Sequence, residues 1–170
     1  LISHLFLFLV YKKKGLLSRE KKGIEMIKYD SVIFDLDGTL LDTLHDLWAS
    51  VNFALRSHGM AERSLSEVRR FVGNGIRNLC KRAAEEGTSE EKVDEILETF
   101  RAHYKDHSND NTKPYEGIIE MLTSLKARNI PTAIVSNKVD SAVQVLAGEY
   151  FNGLIDVAVG ELSGVARKPE

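Results

Sequence analysis

The feature that most limits the fold is an alternation of short apolar, β-branched runs with segments of helical spacing. Three such runs, at 31–34, 132–135 and 155–159, are typical of buried strands. Segments with apolar residues at helical spacing lie before and after the second run. A strand–helix–strand–helix–strand order predicts parallel pairing with right-handed crossovers. We therefore predict an α/β protein with a Rossmann-like parallel sheet.

The segment between the first two strands is too long for a single crossover. It carries about four apolar stripes at helical spacing, and Gly73-Asn74-Gly75 interrupts them. Two capping boxes, Ser64 with Glu67 and Thr88 with Glu91, predict helix starts. Open α/β sheets bind ligands at the carboxyl ends of their strands. We therefore interpret the helical block as a cap domain inserted over that edge.

Residues 1–25 differ in charge from the rest of the chain. They hold six Lys or Arg side chains and two Glu side chains, whereas the whole chain has a net charge of −2. The apolar run at 5–11 is shorter than the roughly 20 residues that a membrane-spanning helix needs. Because Met26 is the first methionine, we expect residues 1–25 to be a non-native upstream extension; the alternative is a basic arm on a membrane surface. The rest divides into a core, 26–44 and 113–170, and a cap, 45–112.

Composition restricts the partners and the compartment. Twenty-three Lys and Arg residues stand against 25 Asp and Glu residues, so the chain has no general basic field for nucleic acid. Its single cysteine, Cys80, cannot close an internal disulfide, which favours a reducing compartment. We expect a cytoplasmic protein that binds neither nucleic acid nor a membrane, and nothing in the sequence indicates an oligomeric state.

Two carboxylates directly follow the first predicted strand. Asp35 and Asp37 are two residues apart, so period-2 geometry can direct both toward one point. Close carboxylates repel unless a cation or a proton lies between them, and hard oxygen ligands suit Mg²⁺. Gly38 permits a tight turn, and the Thr39 hydroxyl could orient a carboxylate or donate to a phosphoryl oxygen. The alternative is an ordinary turn at the end of a strand.

Several motifs resemble those of the haloacid dehalogenase-like phosphatases. The segment D-L-D-G-T-L-L-D-T at 35–43 resembles the first motif of that superfamily. The run I-V-S-N-K at 134–138 follows P-Y-E-G-I and resembles the second motif at Ser136, and R-K-P resembles the third at Lys168. The segment F-V-G-N-G-I-R-N-L at 71–79 resembles the cap of phosphoglycolate phosphatase-type members.

This resemblance implies a role for each matching residue. Asp35 would be the nucleophile that forms an aspartyl-phosphate, and Asp37 would be the general acid and base. Asp35 and Asp37, the latter through its backbone carbonyl, would ligate Mg²⁺. The phosphoryl group would be bound by Thr39, Ser136, Asn137 and Lys168. In the cap, Gly73, Asn74 and Gly75 would lie over the pocket and Arg77 near a second anionic group of the substrate, so that these residues determine specificity; the alternative for 73–75 is a plain turn between two helices.

The implied activity is Mg²⁺-dependent hydrolysis of a small phosphorylated metabolite, with phosphoglycolate favoured. The alternatives are a phosphosugar mutase or a pyrophosphatase of the same superfamily, or a truncated chain that does not catalyse. The superfamily's fourth motif, a strand ending in Gly-Asp with a further acidic residue, has no match up to Glu170. We therefore expect this chain to be a fragment with a truncated sheet, whose third strand has an exposed edge.

Overall fold

A computed structural model of the chain describes residues 9–11, 30–162, 164 and 168. The strands are β1 (Leu9–Tyr11), β2 (Ser31–Phe34), β3 (Leu41–Asp42), β4 (Lys113–Pro114), β5 (Thr132–Val139) and β6 (Val157–Glu161). The helices are α1 (Leu44–Ser57), α2 (Leu65–Phe71), α3 (Ile76–Ala83), α4 (Glu90–His107), α5 (Ile118–Ala127) and α6 (Asp140–Phe151). The predicted α/β class is confirmed.

The main sheet contains the three predicted strands in parallel. Its order is β1-β2-β5-β6, with β2 parallel to β5 and β5 parallel to β6. An apolar cluster joins the sheet to α5 and α6, and it includes Phe34, Ile134, Leu122, Val143 and Phe151. Strand β6 ends the described sheet, and its valines at 157 and 159 are exposed. Among the described residues β6 pairs with β5 alone, so it forms one edge of the described sheet.

Strand β1 is a feature that the sequence analysis did not predict. Its backbone pairs antiparallel with β2, in the register Leu9↔Ile33 to Tyr11↔Ser31. The pairing has a simple cause, because an unpaired strand edge offers free N–H and C=O groups to any nearby extended segment. The rest of the proposed upstream extension, 1–8 and 12–25, lies outside the described residues, so its status stays a prediction.

The four helices between β3 and β4 form their own apolar cluster. Helices α1 and α4 pack along each other, with α2 and α3 against them. The centre is made by Leu55, Val68, Cys80, Ile96 and Phe100, each at most 1% exposed. These residues come from the helical stripes of the sequence, whose burial holds the helices together. In the described ranges, no helix combines the length and apolar character needed to cross a bilayer.

Two short strands join the helical block to the sheet. Strands β3 and β4 pair antiparallel, with Leu41 opposite Pro114 and Asp42 opposite Lys113. The chain therefore enters and leaves the helical block through two neighbouring strands, β3 and β4. The boundaries proposed for the cap, 45–112, stay a prediction, although β3 and β4 lie directly outside them.

Two local predictions were wrong in detail. The cap of α4 is Ser89, whose side chain accepts from the Lys92 N–H, whereas the Thr88 hydroxyl donates to the Glu85 carbonyl. Ser89 is the cap because it directly precedes the helix, so its side chain can reach the N–H of the third helical residue, Lys92. The second predicted strand also continues to Val139, past the register shift that follows Val135. This extension keeps 136–138 next to β6 and decides where their side chains point.

Candidate active site

The two carboxylates of the first motif sit at the carboxyl end of β2, next to β5. Asp35 follows Phe34 directly, and the chain then turns so that the Gly38 N–H donates to the Leu41 carbonyl at 2.8 Å. Gly38 has a φ of +75°, a conformation that favours glycine. Leu36 and Leu40 are fully buried and anchor the turn in the core. The expectation that the two carboxylates share one edge of the sheet holds.

Lys168 makes an ion pair with Asp35. Its Nζ lies 2.7 Å from Asp35 Oδ1 and also donates to the Val135 carbonyl. The backbone of Lys168 is held by Asn137, whose Oδ1 accepts from the Lys168 N–H at 2.9 Å and whose Nδ2 donates to its carbonyl at 3.3 Å. Asn137 was expected to bind phosphate; in this arrangement its amide instead fixes Lys168 beside Asp35.

Lys138 makes a second ion pair, with Asp37. Its Nζ donates to Asp37 Oδ1 at 3.0 Å and to the Tyr104 hydroxyl at 2.6 Å, while its side chain is only 6% exposed. Burial alone lowers the pKa of this ammonium, but the Asp37 carboxylate and Tyr104 more than offset it, so the pKa is raised. Burial also raises the pKa of Tyr104 to about 12. Lys138 therefore stays charged, and Tyr104 stays a neutral hydroxyl.

These groups line a cavity of about 530 Å³ between the sheet and the helical block. The sheet side provides charged and polar groups, and the helical side provides apolar side chains and a glycine loop. From the sheet side come Asp35, Asp37, Ser136, Asn137, Lys138 and Lys168. From the helical side come Leu47, Val72, Gly73, Asn74, Gly75, Ile76, Leu79 and Tyr104. A ligand with a charged end would be bound at the sheet and covered by the helices.

Ser136 lies where the second motif predicted. It is 5% exposed, lines the cavity, and its Oγ accepts from the Lys138 N–H at 3.1 Å. Its own hydroxyl proton stays available to an anion in the cavity. Thr39, in contrast, is 3% exposed and lies outside the cavity lining, so the structure does not place it with the other predicted phosphate-binding residues.

The glycine loop of the helical block faces the two carboxylates across the cavity. Gly73, Asn74 and Gly75 all have positive φ, from 60° to 123°. The loop is held from α3, because Arg82 donates to the Gly73 carbonyl at 3.2 Å and Asn78 donates to the Asn74 carbonyl at 2.7 Å. Gly73, Asn74 and Gly75 thus line the same cavity as Asp35 and Asp37, and their role in specificity stays a prediction.

The expectation for Arg77 is not met. Its guanidinium pairs with Asp94 at 2.7 Å and with Glu90 at 2.9 Å on the exposed side of α4, and it is absent from the cavity lining. The physical reason is the close approach of α3 to α4, which offers two carboxylates within reach of one arginine. The side chains that the cap gives to the lining are apolar except for Asn74 and Tyr104.

Two polar residues of the cavity lining were not predicted: Lys138 and Tyr104. Lys138 is the last residue of the I-V-S-N-K run, and period-2 spacing from Ser136 puts it on the same face of β5. Tyr104 was assigned to the apolar stripe of α4, and no sequence signal distinguishes it from the core tyrosines. Its position over the sheet depends on how α4 packs.

The oxygen donors of the cavity bear on whether it could hold a magnesium ion. Among the described residues, no group of three or more His, Cys, Asp or Glu side chains could hold a metal. Asp35 supplies a partly exposed carboxylate at the cavity, and Asp37, whose backbone carbonyl is the second expected ligand, lines the same cavity. Mg²⁺ is commonly bound by one or two carboxylates, waters and substrate phosphate, so these oxygen donors fit it.

Comparison with known proteins connects this site to a family. Residues 32–170 match the family model described as haloacid dehalogenase-like hydrolase. Phosphoglycolate phosphatase 1 of Pseudomonas aeruginosa is 36% identical over 134 residues, covering 73% of this chain and 49% of that protein. Phosphoglycolate phosphatase of Agrobacterium fabrum is 38% identical over 111 residues, or 64% of this chain and 48% of that protein. This chain thus spans about half the length of these two relatives.

A solved structure gives the same result for the fold. The crystal structure of a protein from Lactobacillus delbrueckii subsp. bulgaricus superposes with a TM-score of 0.78 at 35% identity, covering 84% of this chain and 69% of that one. The chain belongs to the haloacid dehalogenase-like hydrolase family.

Proposed function

We propose that the full-length protein is a phosphatase that hydrolyses a small phosphorylated metabolite of the phosphoglycolate type. The observation that carries this proposal is the pairing of two carboxylates with two lysines at one end of a capped cavity. Lys168 beside Asp35 offers a positive charge where a phosphoryl group would meet the nucleophile. The names of the two bacterial relatives, both phosphoglycolate phosphatases, support the choice of substrate.

In the reaction that we propose, each of these groups has one role. An Asp35 oxygen attacks phosphorus to form an aspartyl-phosphate, and the bond from phosphorus to the leaving oxygen breaks. That oxygen keeps the electron pair and takes a proton from Asp37. In the second step a water gives a proton to Asp37 and attacks phosphorus, which frees Asp35. Lys168 and the Ser136 hydroxyl stabilise the negative charge on the phosphoryl oxygens.

A magnesium ion belongs to this proposal. Asp35 and the backbone carbonyl of Asp37 would hold it with the substrate phosphate. Such an ion would neutralise charge between the nucleophile and the phosphoryl group. We also propose a reducing, cytoplasmic location, because Cys80 is a buried free thiol.

The test uses the full-length gene product with phosphoglycolate, pyrophosphate and a hexose phosphate, with and without Mg²⁺. We expect phosphate release from phosphoglycolate, loss of activity with a chelator, and no turnover by Asp35→Asn with an unchanged circular dichroism spectrum. Preference for pyrophosphate, or transfer of the phosphoryl group within the hexose phosphate, would favour the alternative enzymes. Retained turnover by Asp35→Asn would refute the mechanism.

A further inference from the structure

The Lys138 ammonium bridges the sheet and the helical block. On one side it donates to Asp37 Oδ1 at 3.0 Å, and on the other to the Tyr104 hydroxyl at 2.6 Å. It also lies 4.8 Å from the centroid of the Tyr104 ring, within the range of a cation–π contact. The ammonium thus donates to a side chain of the first motif and to a side chain of α4.

Because the Lys138 ammonium is buried, it depends on both of its side-chain partners. Lys138 is 8% exposed, and a buried ammonium is costly unless its N–H groups are paired. Asp37 and Tyr104 provide the two side-chain partners, and they come from different parts of the fold. If α4 moved away from the sheet, the ammonium would lose the hydroxyl and gain water. The position of the ammonium is therefore tied to the docking of α4.

Tyr104 is itself firmly held. It is 8% exposed and stacks on Phe100 of the same helix with ring centroids 5.1 Å apart. Phe100 belongs to the centre of the helical cluster. The hydroxyl of Tyr104 is therefore a rigid extension of the helical block that reaches the catalytic end of the sheet.

We propose that Lys138 is a positioning residue, which fixes one Asp37 oxygen so that the other faces the leaving group when Tyr104 is docked. This inference rests on the proposed function. Lys138 does not touch the reacting atoms; it acts through Asp37. Proton transfer to a leaving oxygen needs close alignment, so an unanchored Asp37 would protonate a poor leaving group slowly.

Two substrates of similar size separate this role from a structural one. Phosphoglycolate releases an alkoxide-like oxygen, which needs the proton of Asp37. Acetyl phosphate releases acetate, a weak base that needs none. We would measure single-turnover release of glycolate and of acetate by the full-length protein. In Lys138→Met we expect glycolate release to fall by about 10²-fold, while acetate release changes little.

Tyr104→Phe tests the connection to the helical block and keeps the aromatic stack. We expect the same selective loss, smaller in size, and no further loss when it is added to Lys138→Met. Lys92→Met, which removes an exposed lysine paired with Glu95, and Tyr150→Phe, which removes a hydroxyl bonded to Asn109 and the Thr112 carbonyl, are the matched controls. Both controls should keep the wild-type ratio of the two rates.

Each result decides the proposal. Equal slowing of both substrates, or an unchanged ratio in Lys138→Met, would overturn the positioning role. A wild-type ratio in Tyr104→Phe would overturn the connection to α4. Thermal melting checks that each variant is folded; if Lys138→Met is not, Tyr104→Phe decides alone. A wild-type protein that releases neither product would instead contradict the proposed function.

Discussion

Asp46 is predicted to hold the two connections of the helical block together. It lies in the first turn of α1 and is 1% exposed. Its carboxylate accepts from the Asn111 backbone N–H at 2.9 Å and from the Thr112 hydroxyl at 2.7 Å, and also from the Asn111 side chain at 2.9 Å. These partners lie just before β4, on the return connection. We expect Asp46→Ala to loosen this junction.

The expected loss in unfolding free energy depends on whether each hydrogen-bond donor finds another acceptor once the Asp46 carboxylate is removed. The Asn111 side chain belongs to an exposed residue and can bond to water instead. The Asn111 N–H and the buried Thr112 hydroxyl each lose a charged acceptor, although Thr112 keeps a longer contact with the Ser108 carbonyl at 3.2 Å. Two hydrogen bonds to a charged group, at about 1.5 kcal/mol each, give a loss of about 3 kcal/mol in unfolding free energy.

The assay is urea unfolding of the full-length protein at neutral pH. Thr112→Val removes one of the donors at nearly constant side-chain volume. Together with Asp46→Ala and the double variant it forms a double-mutant cycle, in which we expect a coupling energy between Asp46 and Thr112 of about 1 kcal/mol or more. Asp106→Ala, which removes an exposed carboxylate of α4, is the control and should leave stability unchanged. A loss below about 1 kcal/mol for Asp46→Ala, or strictly additive losses in the cycle, would refute the reasoning.

Two further predictions concern Cys80 and Arg77. Burial raises the pKa of the Cys80 thiol to about 12, so the thiol stays protonated at pH 8. We therefore expect iodoacetamide to label Cys80 only after unfolding in urea, as measured by mass spectrometry. Rapid labelling of the native protein would contradict the burial of this side chain. Because Arg77 is paired with Asp94 and Glu90 outside the cavity, Arg77→Ala should leave the KM for phosphoglycolate unchanged in steady-state assays. A clear rise in KM would show that Arg77 turns into the cavity when substrate binds.

The elements of the fold were predictable because each rests on local pattern. Each strand or helix shows its pattern within a single segment: an apolar run in β2 and β5, and an apolar stripe in α1 to α6. Burial of the apolar side chains then stabilises the element. The capping box at Ser64 is likewise local, and both of its reciprocal hydrogen bonds are present. The placement of Ser89 as the cap of α4 was missed because neighbouring Thr and Ser residues offer two registers.

The short pair β3–β4 was not predictable from pattern. Two residues in each strand are too few to show an alternation, and the partners are separated by the whole helical block. The same holds for Asp46, whose partners lie 65 and 66 residues away along the chain. Contacts of this separation depend on the packing of the helices.

The sequence by itself determined where the two carboxylates at the end of β2 lie. Asp35 and Asp37 follow a buried strand at period-2 spacing, and this local geometry brings them to one edge of the sheet. Only the tertiary structure decided what surrounds them: Lys168 on Asp35, Lys138 and Tyr104 at Asp37, and Arg77 turned away to α4. The physical reason is that a strand sets the direction of its own side chains, whereas charge pairing depends on which distant segments pack within hydrogen-bond distance.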